Sequence, residues 1–193
     1  MNTPRRLADV QHSIRDGNLL LFRRRGLISI AGRGVHTHAA KAAWWPGHGG
    51  QPGVLFCLEV RQWVGGRAVT LESQVEKFPG RIDVFEANPD DKWPYYDAAA
   101  STRYMKELCG RPYGYRAIVM AALLHLPVVR CFVNPEIDDL AVANRPPFCS
   151  QACCLADRVA GGVDPVPHLA DRLTEPADLA RSPFYRFAFT LVP

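Results

Sequence analysis

The chain has 193 residues, which at ~100–200 residues per domain predicts one domain over residues 1–193. Its composition, 48% hydrophobic and 22% charged, is that of a globular protein and excludes wholesale disorder. The formal net charge of +4 comes without the concentrated basic stripe that is typical of nucleic-acid binders, so we expect no nucleic-acid partner.

The sequence predicts no transmembrane segment, because no apolar run reaches the ~20 residues that a membrane-spanning helix requires. Residues 1–17 lack the apolar core of a secretory signal, which predicts a protein that is cytoplasmic as encoded. Action outside the cell would then need delivery by phage lysis or by a secretion system. The sequence leaves the oligomeric state and the source biology open.

The first half of the chain has the hydrophobic pattern of a β-sheet. A short amphipathic helix is predicted over residues 7–16. Apolar runs and alternating patterns then predict strands at residues 19–22, 36–45, 54–63, 67–73 and 81–87. Gly65 and Gly66 predict the hairpin turn between the third and fourth strands. We therefore expect an antiparallel meander.

The second half has mainly helical patterns. Helices are predicted over residues 97–110, 115–126 and 150–162, and a strand over residues 184–192. Residues 134–147 predict a loop, and the pattern does not decide whether this loop covers a site. Strands segregated from helices predict an α+β fold, with helices packed on an antiparallel sheet.

Cys149 is the first candidate for chemistry. It comes after two prolines and lies at the first turn of a predicted helix, where free N–H groups and the helix dipole favour a thiolate and can bind an oxyanion. Burial as a packing residue is an equally open interpretation of that position. The neighbouring Cys153 and Cys154 are predicted to pack in the core. Six cysteines are too few for a disulfide scaffold and lack the paired C-x-x-C spacing of a zinc site, so we expect most of them to be reduced and buried.

A nucleophilic cysteine needs a base, and the chain offers His12, His36, His38, His48, His125 and His168. His36 and His38 flank Thr37 on one predicted strand and share a face, so periodicity alone does not choose between them. His125 is expected in the core and His48 in a solvated glycine loop. A metal pair built on His36 and His38 is an alternative that ranks lower, because no further ligand spacing accompanies it.

Glu59 is the candidate for the group that orients the histidine. It interrupts an apolar strand, and a buried carboxylate is costly unless it is paired. A histidine on a neighbouring strand would pair it, whereas a side chain pointing to solvent would need no partner. Glu72 and Glu86, near strand ends, are weaker candidates.

The order of several short motifs resembles a known family. GNLLLF, THAA, CLEV, PYGY and FCSQ follow one another as in the circularly permuted branch of the NlpC/P60 papain-like cysteine peptidases, which includes YiiX-like hydrolases and lecithin:retinol acyltransferase-like proteins. The resemblance spans residues 17–159. It implies a papain-like fold in which an antiparallel sheet or half-barrel packs against helices. Asn18 departs from the family's usual Asp, and residues after 161 have no counterpart.

The resemblance also assigns roles to residues. Thr37-His38-Ala39 matches the histidine motif, which favours His38 over His36. Glu59 falls where the third catalytic residue is expected, and Cys149 matches the nucleophile. The resemblance therefore implies a cysteine peptidase or amidase that cleaves an amide bond through an acyl-enzyme, with no metal or other cofactor.

The implied substrates are a peptide, a peptidoglycan fragment or a lipid amide. Aromatic side chains around Trp44, Tyr113 and Tyr115 are candidates for a substrate groove, although aromatic residues at this density also fill cores. Two alternatives keep the same residues. One is a thiol acyltransferase or lipid hydrolase with the same triad, and the other is a catalytically silent papain-like binding module.

Overall fold

The structure is a computed structural model, and it describes residues 4–23, 34–47, 49, 52–115 and 146–193. All but the first residue of the helix predicted over 115–126 lies outside the described residues, as do most of the loop predicted over 134–147, His48 and His125. Among the described helices, none has the length and apolar character needed to cross a lipid bilayer.

Most of the described strands lie before residue 88, and most of the described α-helices lie after residue 97. The strands are β1 Pro4–Arg6, β2 Leu19–Arg23, β3 His36–Trp45, β4 Val54–Arg61, β5 Gly65–Thr70, β6 Ile82–Ala87 and β7 Tyr185–Val192. The α-helices are α1 Leu7–Val10, α2 Leu71–Lys77, α3 Ala98–Glu107, α4 Cys149–Leu155 and α5 Pro176–Arg181. A π-helical segment, Ala156–Ala160, continues α4, and short 3-10 turns form at Gln11–Ser13, Pro89–Asp91 and Asp171–Leu173.

The seven described strands form one sheet in the order β1-β7-β6-β2-β3-β4-β5. Every neighbouring pair is antiparallel except β1 and β7, which are parallel. The predicted meander is confirmed for β2 through β5, whereas β6 crosses back to pair with the free edge of β2. The chain is thus a mixed α/β protein with a mostly antiparallel open sheet.

The sheet carries a core on each face. The first core lies under α3, α4 and α5 and includes Leu21, Ala39, Ala43, Leu58, Met105, Cys153 and Leu179. The second core lies under α1 and α2 and includes Ile14, Phe22, Ala40, Ala42, Cys57, Leu71 and Val75. The alternating alanines of β3 face both cores, and their small side chains let α4 pack closely on this strand.

Two predicted boundaries were wrong. The hairpin turn lies at residues 62–64, because Gly65 and Gly66 already pair with Arg61 and Val60 as the start of β5. A Cβ atom at either glycine would collide with the backbone of residues 108–111, so these glycines serve close packing and not the turn. Residues 71–73 begin α2 and are not a strand, since Thr70 caps the helix by accepting from Ser73 N–H.

The helix predictions over residues 7–16 and 150–162 were right in kind and inexact in length. The predicted helix over residues 7–16 is only one turn, α1, followed by a 3-10 turn, and the chain is extended at Ile14. The predicted helix over 150–162 begins one residue earlier, at Cys149, and becomes π-helical before Gly162 adopts a φ of 79°. Cys149 is therefore the first residue of α4.

Candidate active site

Cys149 lies at the point where an extended chain turns into α4. Phe148 has the extended angles φ −95° and ψ 177°, and the helix begins with the next residue. Cys149 is half-buried as a residue, and its sulfur is hydrogen-bonded to His38 and to the backbone N–H groups of Ala39 and Ser150. His38 and Ala39 both belong to β3, so the strand that contacts Cys149 is also the strand on which α4 packs.

His38 stands between Cys149 and Glu59. Its Nε2 atom is 2.5 Å from Oε2 of Glu59, and its ring is hydrogen-bonded to the cysteine. Because Nε2 faces the carboxylate, Nδ1 is the ring nitrogen left for the sulfur. Glu59 lies opposite Ala40 in the β3–β4 register, which sets its side chain diagonal to His38.

Glu59 is buried, with 1% of its side chain exposed, and both of its oxygens are used. Oε1 accepts hydrogen bonds from Nε and Nη2 of Arg67 at 2.8 and 2.5 Å. Arg67 is the direct partner of Glu59 in the β4–β5 register, and Arg61 Nη1 lies 4.0 Å from the same oxygen. The arginine therefore leaves Oε2 to His38.

The contacts among Cys149, His38 and Glu59 favour the ionised form of each side chain. Burial opposes a thiolate, but the hydrogen bond and charge of His38, with the N–H groups of Ala39 and Ser150, lower the pKa of Cys149. Burial also opposes an imidazolium, yet Cys149 and then Glu59 raise the pKa of His38 to about 9. Against burial, His38 and then Arg67 lower the pKa of Glu59 to about 2. When Cys149, His38 and Glu59 adopt these favoured forms, the charges from Cys149 through His38 and Glu59 to Arg67 alternate in sign.

His36 takes a different partner from His38. Its Nε2 atom is 2.8 Å from Asp83 Oδ2, and its ring packs on Phe85 of the first core. The ring of His38 instead packs on Phe22 of the second core. The prediction of a shared face was wrong, because a register shift opposite Thr37 interrupts the alternation of β3.

The two histidines also do not converge on a common ligand set. His36 faces Asp83 and His38 faces Glu59, so each imidazole has a carboxylate of its own. In the described part of the chain, no group of three or more His, Cys, Asp or Glu side chains is arranged to hold a metal ion.

Aromatic rings lead from Cys149 to the surface. Burial and then the charge of Cys149 raise the pKa of the buried Tyr113, which places this phenol near the sulfur. The centroids of Tyr113 and Tyr115 are 5.0 Å apart, and those of Tyr115 and Trp63 are 5.3 Å apart. Trp63 donates its backbone N–H to the Tyr115 hydroxyl at 2.7 Å, and its side chain is 83% exposed.

Trp44 lies elsewhere. Its indole N–H donates to the Ile14 carbonyl at 2.7 Å, and its ring packs against the second core. It follows His38 by six residues on β3, a distance of about 20 Å along a strand. The structure therefore does not bring Trp44 to the rings beside Cys149.

The other described cysteines are unlike Cys149. Burial raises the pKa of Cys57, Cys153 and Cys154, and of the half-buried Cys109. Cys153 and Cys154 belong to the first core, so the prediction that they pack is confirmed. Of the five described cysteines, Cys149 alone has a lowered pKa.

Sequence reasoning missed Arg67 and Trp63. A turn at Gly65 and Gly66 would place residue 72 opposite Glu59, so the misplaced turn hid Arg67 as a partner. Trp63 was counted as the end of a strand, whereas it lies in the turn with a φ of 69°. The glycine pair was the misleading signal in both cases.

No protein-family model matches the chain, and no curated protein matches it. The function is therefore inferred from the row of Cys149, His38, Glu59 and Arg67.

Proposed function

We propose that this protein is a cysteine hydrolase that cleaves an amide bond, with Cys149 as nucleophile, His38 as acid and base, and Glu59 as the group that orients His38. One observation carries the proposal: the His38 ring is hydrogen-bonded to Cys149 on one side and lies 2.5 Å from the Glu59 carboxylate on the other. A nucleophile, a base and an orienting group in this order are what thiol catalysis requires.

We further propose that the fold is papain-like in the permuted NlpC/P60 arrangement. A helix that begins with the nucleophile packs on an antiparallel strand that carries the histidine, and the next strand carries Glu59. The histidine precedes the cysteine in the chain, which is the order expected of the permuted branch. These features support the proposal beside the motif order.

The first chemical step uses the charged pair. The Cys149 thiolate attacks the carbonyl carbon of the substrate, a C–S bond forms, and the carbonyl π electrons move to oxygen. The backbone N–H of Cys149, which has no acceptor within α4 at the first helical position, is placed to donate to that oxyanion. Imidazolium His38 then gives its proton to the leaving nitrogen as the C–N bond breaks.

The second step returns the enzyme to its starting state. His38, now neutral, takes a proton from water, and the resulting hydroxide attacks the thioester carbonyl. The C–S bond breaks, the carboxylic acid leaves, and Cys149 is again a thiolate beside an imidazolium. Glu59 stays ionised throughout because its pKa is held at about 2.

The substrate is proposed to lie along Tyr113, Tyr115 and Trp63. The three rings lie in a row, one after another, from the buried Tyr113 near Cys149 to the exposed indole of Trp63. Such a row suits an apolar or ring-shaped group attached to the scissile carbonyl, as in a peptide side chain, a peptidoglycan fragment or a lipid amide. The same row suits an acyl chain, which keeps a thiol acyltransferase or lipid hydrolase as the second candidate.

A covalent probe and product analysis test these candidates together. A vinyl sulfone is expected to alkylate Cys149, and Cys149→Ala is expected to lose the adduct while Cys109→Ala keeps it. Amide and lipid-amide substrates, with and without an added amine acceptor, then distinguish the reactions by mass spectrometry. A free carboxylic acid supports hydrolysis and a new amide supports acyl transfer. Ligand binding with no adduct and no product would show a silent binding module.

A further inference from the structure

A second polar group joins β3 to the chain segment that carries Cys149. Lys41 of β3 and Asp157 form an ion pair in which both side chains are 0% exposed. Lys41 Nζ lies 2.8 Å from Oδ1 and 2.7 Å from Oδ2 of Asp157, and it also donates to the Gly17 carbonyl at 3.0 Å. The catalytic row described above uses neither residue.

Asp157 is held by further donors. Tyr96 and Ser101 each donate a hydroxyl to Oδ1, at 2.9 and 2.8 Å, and Tyr185 donates to Oδ2. Burial and then the charge of Asp157 raise the pKa of both Tyr96 and Tyr185, so these phenols stay protonated and keep donating. Asp157 is therefore fixed in position from several directions.

The ion pair and the catalytic pair join the same two elements. Lys41 follows His38 by three residues on β3, which is about 10 Å along a strand. Asp157 follows Cys149 by eight residues in α4 and its π-helical continuation, which is about 12 Å along a helix. The Cys149–His38 contact and the Lys41–Asp157 ion pair are thus separated by similar distances along β3 and along α4 with its continuation. A single contact fixes one point of a helix on a strand but not the angle between the two elements. A second contact some distance away also fixes that angle.

Apolar packing alone would fix this direction less well. The face of β3 that meets α4 presents Ala39 and Ala43, whose small side chains offer little that interlocks. A buried ion pair is costly to desolvate, and apolar replacements of similar volume are often neutral or stabilising. A buried ion pair adds a directional contact, because its hydrogen bonds form in only one arrangement of α4 on β3.

We propose that Lys41 and Asp157 are positioning residues that hold α4 on β3 in the arrangement where the Cys149 sulfur meets the His38 ring. Their importance for turnover rests on the proposed function, but their effect on the sulfur is measurable without a substrate. When the ion pair is lost, α4 shifts, and the hydrogen bond between Cys149 and His38 lengthens or breaks.

The test replaces the ion pair by apolar side chains in the full chain. In Lys41→Met/Asp157→Leu, we expect a cooperative unfolding transition to persist, since the core stays filled. Alkylation of Cys149 by iodoacetamide near neutral pH is expected to slow by about tenfold or more, because each pKa unit gained lowers the thiolate fraction tenfold. Val84→Ala, a change in the second core away from β3, is the control for loss of stability and should keep the wild-type pH profile of alkylation.

The outcomes separate this inference from the proposed function. If wild-type Cys149 itself alkylates as an ordinary thiol, the proposed function fails. If the wild type shows a lowered pKa and the folded double variant shows the same profile, Lys41 and Asp157 have no positioning role. Should the double variant not fold, Asp157→Asn takes its place, because it keeps the size of the side chain and weakens the ion pair. A raised Cys149 pKa in that variant supports the inference, and a wild-type profile overturns it.

Discussion

Arg67 lies directly opposite Glu59 on adjacent strands and holds the carboxylate oxygen that His38 does not use. Along the row of Cys149, His38, Glu59 and Arg67, the charges therefore alternate in sign when the first three side chains adopt the ionised forms that their pKa shifts favour. Its net charge is close to zero, which suits a site where Glu59 is buried and His38 is only 21% exposed.

Arg67→Gln is expected to weaken this row. Without the guanidinium, His38 is the one strong partner left to Glu59. The pKa of Glu59 therefore rises, and its negative charge acts on His38 without the positive charge of Arg67 to offset it. We expect the free energy of unfolding to fall by about 2 kcal/mol, which is typical for losing hydrogen bonds to a buried charge. The alkaline limb of the activity profile is expected to move to higher pH.

Arg61→Gln is the matched control for that change. Arg61 is about as exposed as Arg67 but lies 4.0 Å from the same Glu59 oxygen, beyond hydrogen-bonding distance. Denaturant titration should therefore show a small effect for this variant. Equal losses in the two variants would mean that Arg67 acts only through its general positive charge.

Cys149 is expected to react before the other cysteines. His38 and backbone N–H groups lower the pKa of its thiol against the effect of burial, whereas burial raises the pKa of Cys57, Cys153 and Cys154. Limited treatment with iodoacetamide followed by peptide mapping should show modification at Cys149 first. Cys149→Ala should abolish turnover. Uniform labelling of all cysteines would contradict a thiolate at this position.

His38→Ala and His36→Ala are expected to differ sharply. Loss of a general acid and base lowers kcat by about a thousandfold, and this is expected for His38→Ala alone. His36→Ala should retain most activity, because His36 binds Asp83, which keeps Arg23 and Thr190 as partners. Steady-state kinetics of the two variants decide the assignment, and the reverse pattern would make His36 the base.

Trp63 is expected to bind substrate at the expense of stability. Its φ of 69° is unfavourable for a large side chain and ordinary for glycine. Trp63→Gly should therefore raise the free energy of unfolding by about 1 kcal/mol while KM rises and kcat stays near the wild-type value. Tyr95→Ala, which removes an aromatic side chain that is 87% exposed, is the control for surface aromatics in general. An unchanged KM in Trp63→Gly would remove Trp63 from the substrate surface.

Local patterns were enough to predict much of the fold. Apolar runs predicted β2, β4 and β6, and the Pro-Pro-Phe-Cys order predicted the start of α4 to within one residue. A buried charge also carried information, since Glu59 in an apolar strand predicted a histidine partner on a neighbouring strand. These signals depend on near neighbours in the chain.

Long-range partners could not be predicted in this way. Lys41 and Asp157 are 116 residues apart, and nothing in either local pattern indicates that they meet. Arg67 was hidden by one misplaced turn, because a shift in register changes every cross-strand pair. The bulge at Thr37 separated His36 from His38, and strict alternation does not foresee a bulge.

The raised pKa of His38 has a consequence for stability. A base whose pKa rises from 6.5 to about 9 on folding stabilises the native state fully below pH 6.5, and this contribution is lost as the pH rises through 9. The difference in unfolding free energy between the wild type and His38→Gln should shrink across that range. A difference that does not change with pH would mean that the pKa of His38 is the same in the folded and unfolded states.

The most direct measurement is the titration of the His38 ring by NMR in the wild type and in Cys149→Ala. We expect a midpoint of about 9 in the wild type and a clear fall in the variant, because Cys149 contributes the largest of the effects that raise this pKa. A midpoint close to the ordinary 6.5 in both proteins would contradict the pairing of sulfur and imidazole on which the proposed chemistry depends.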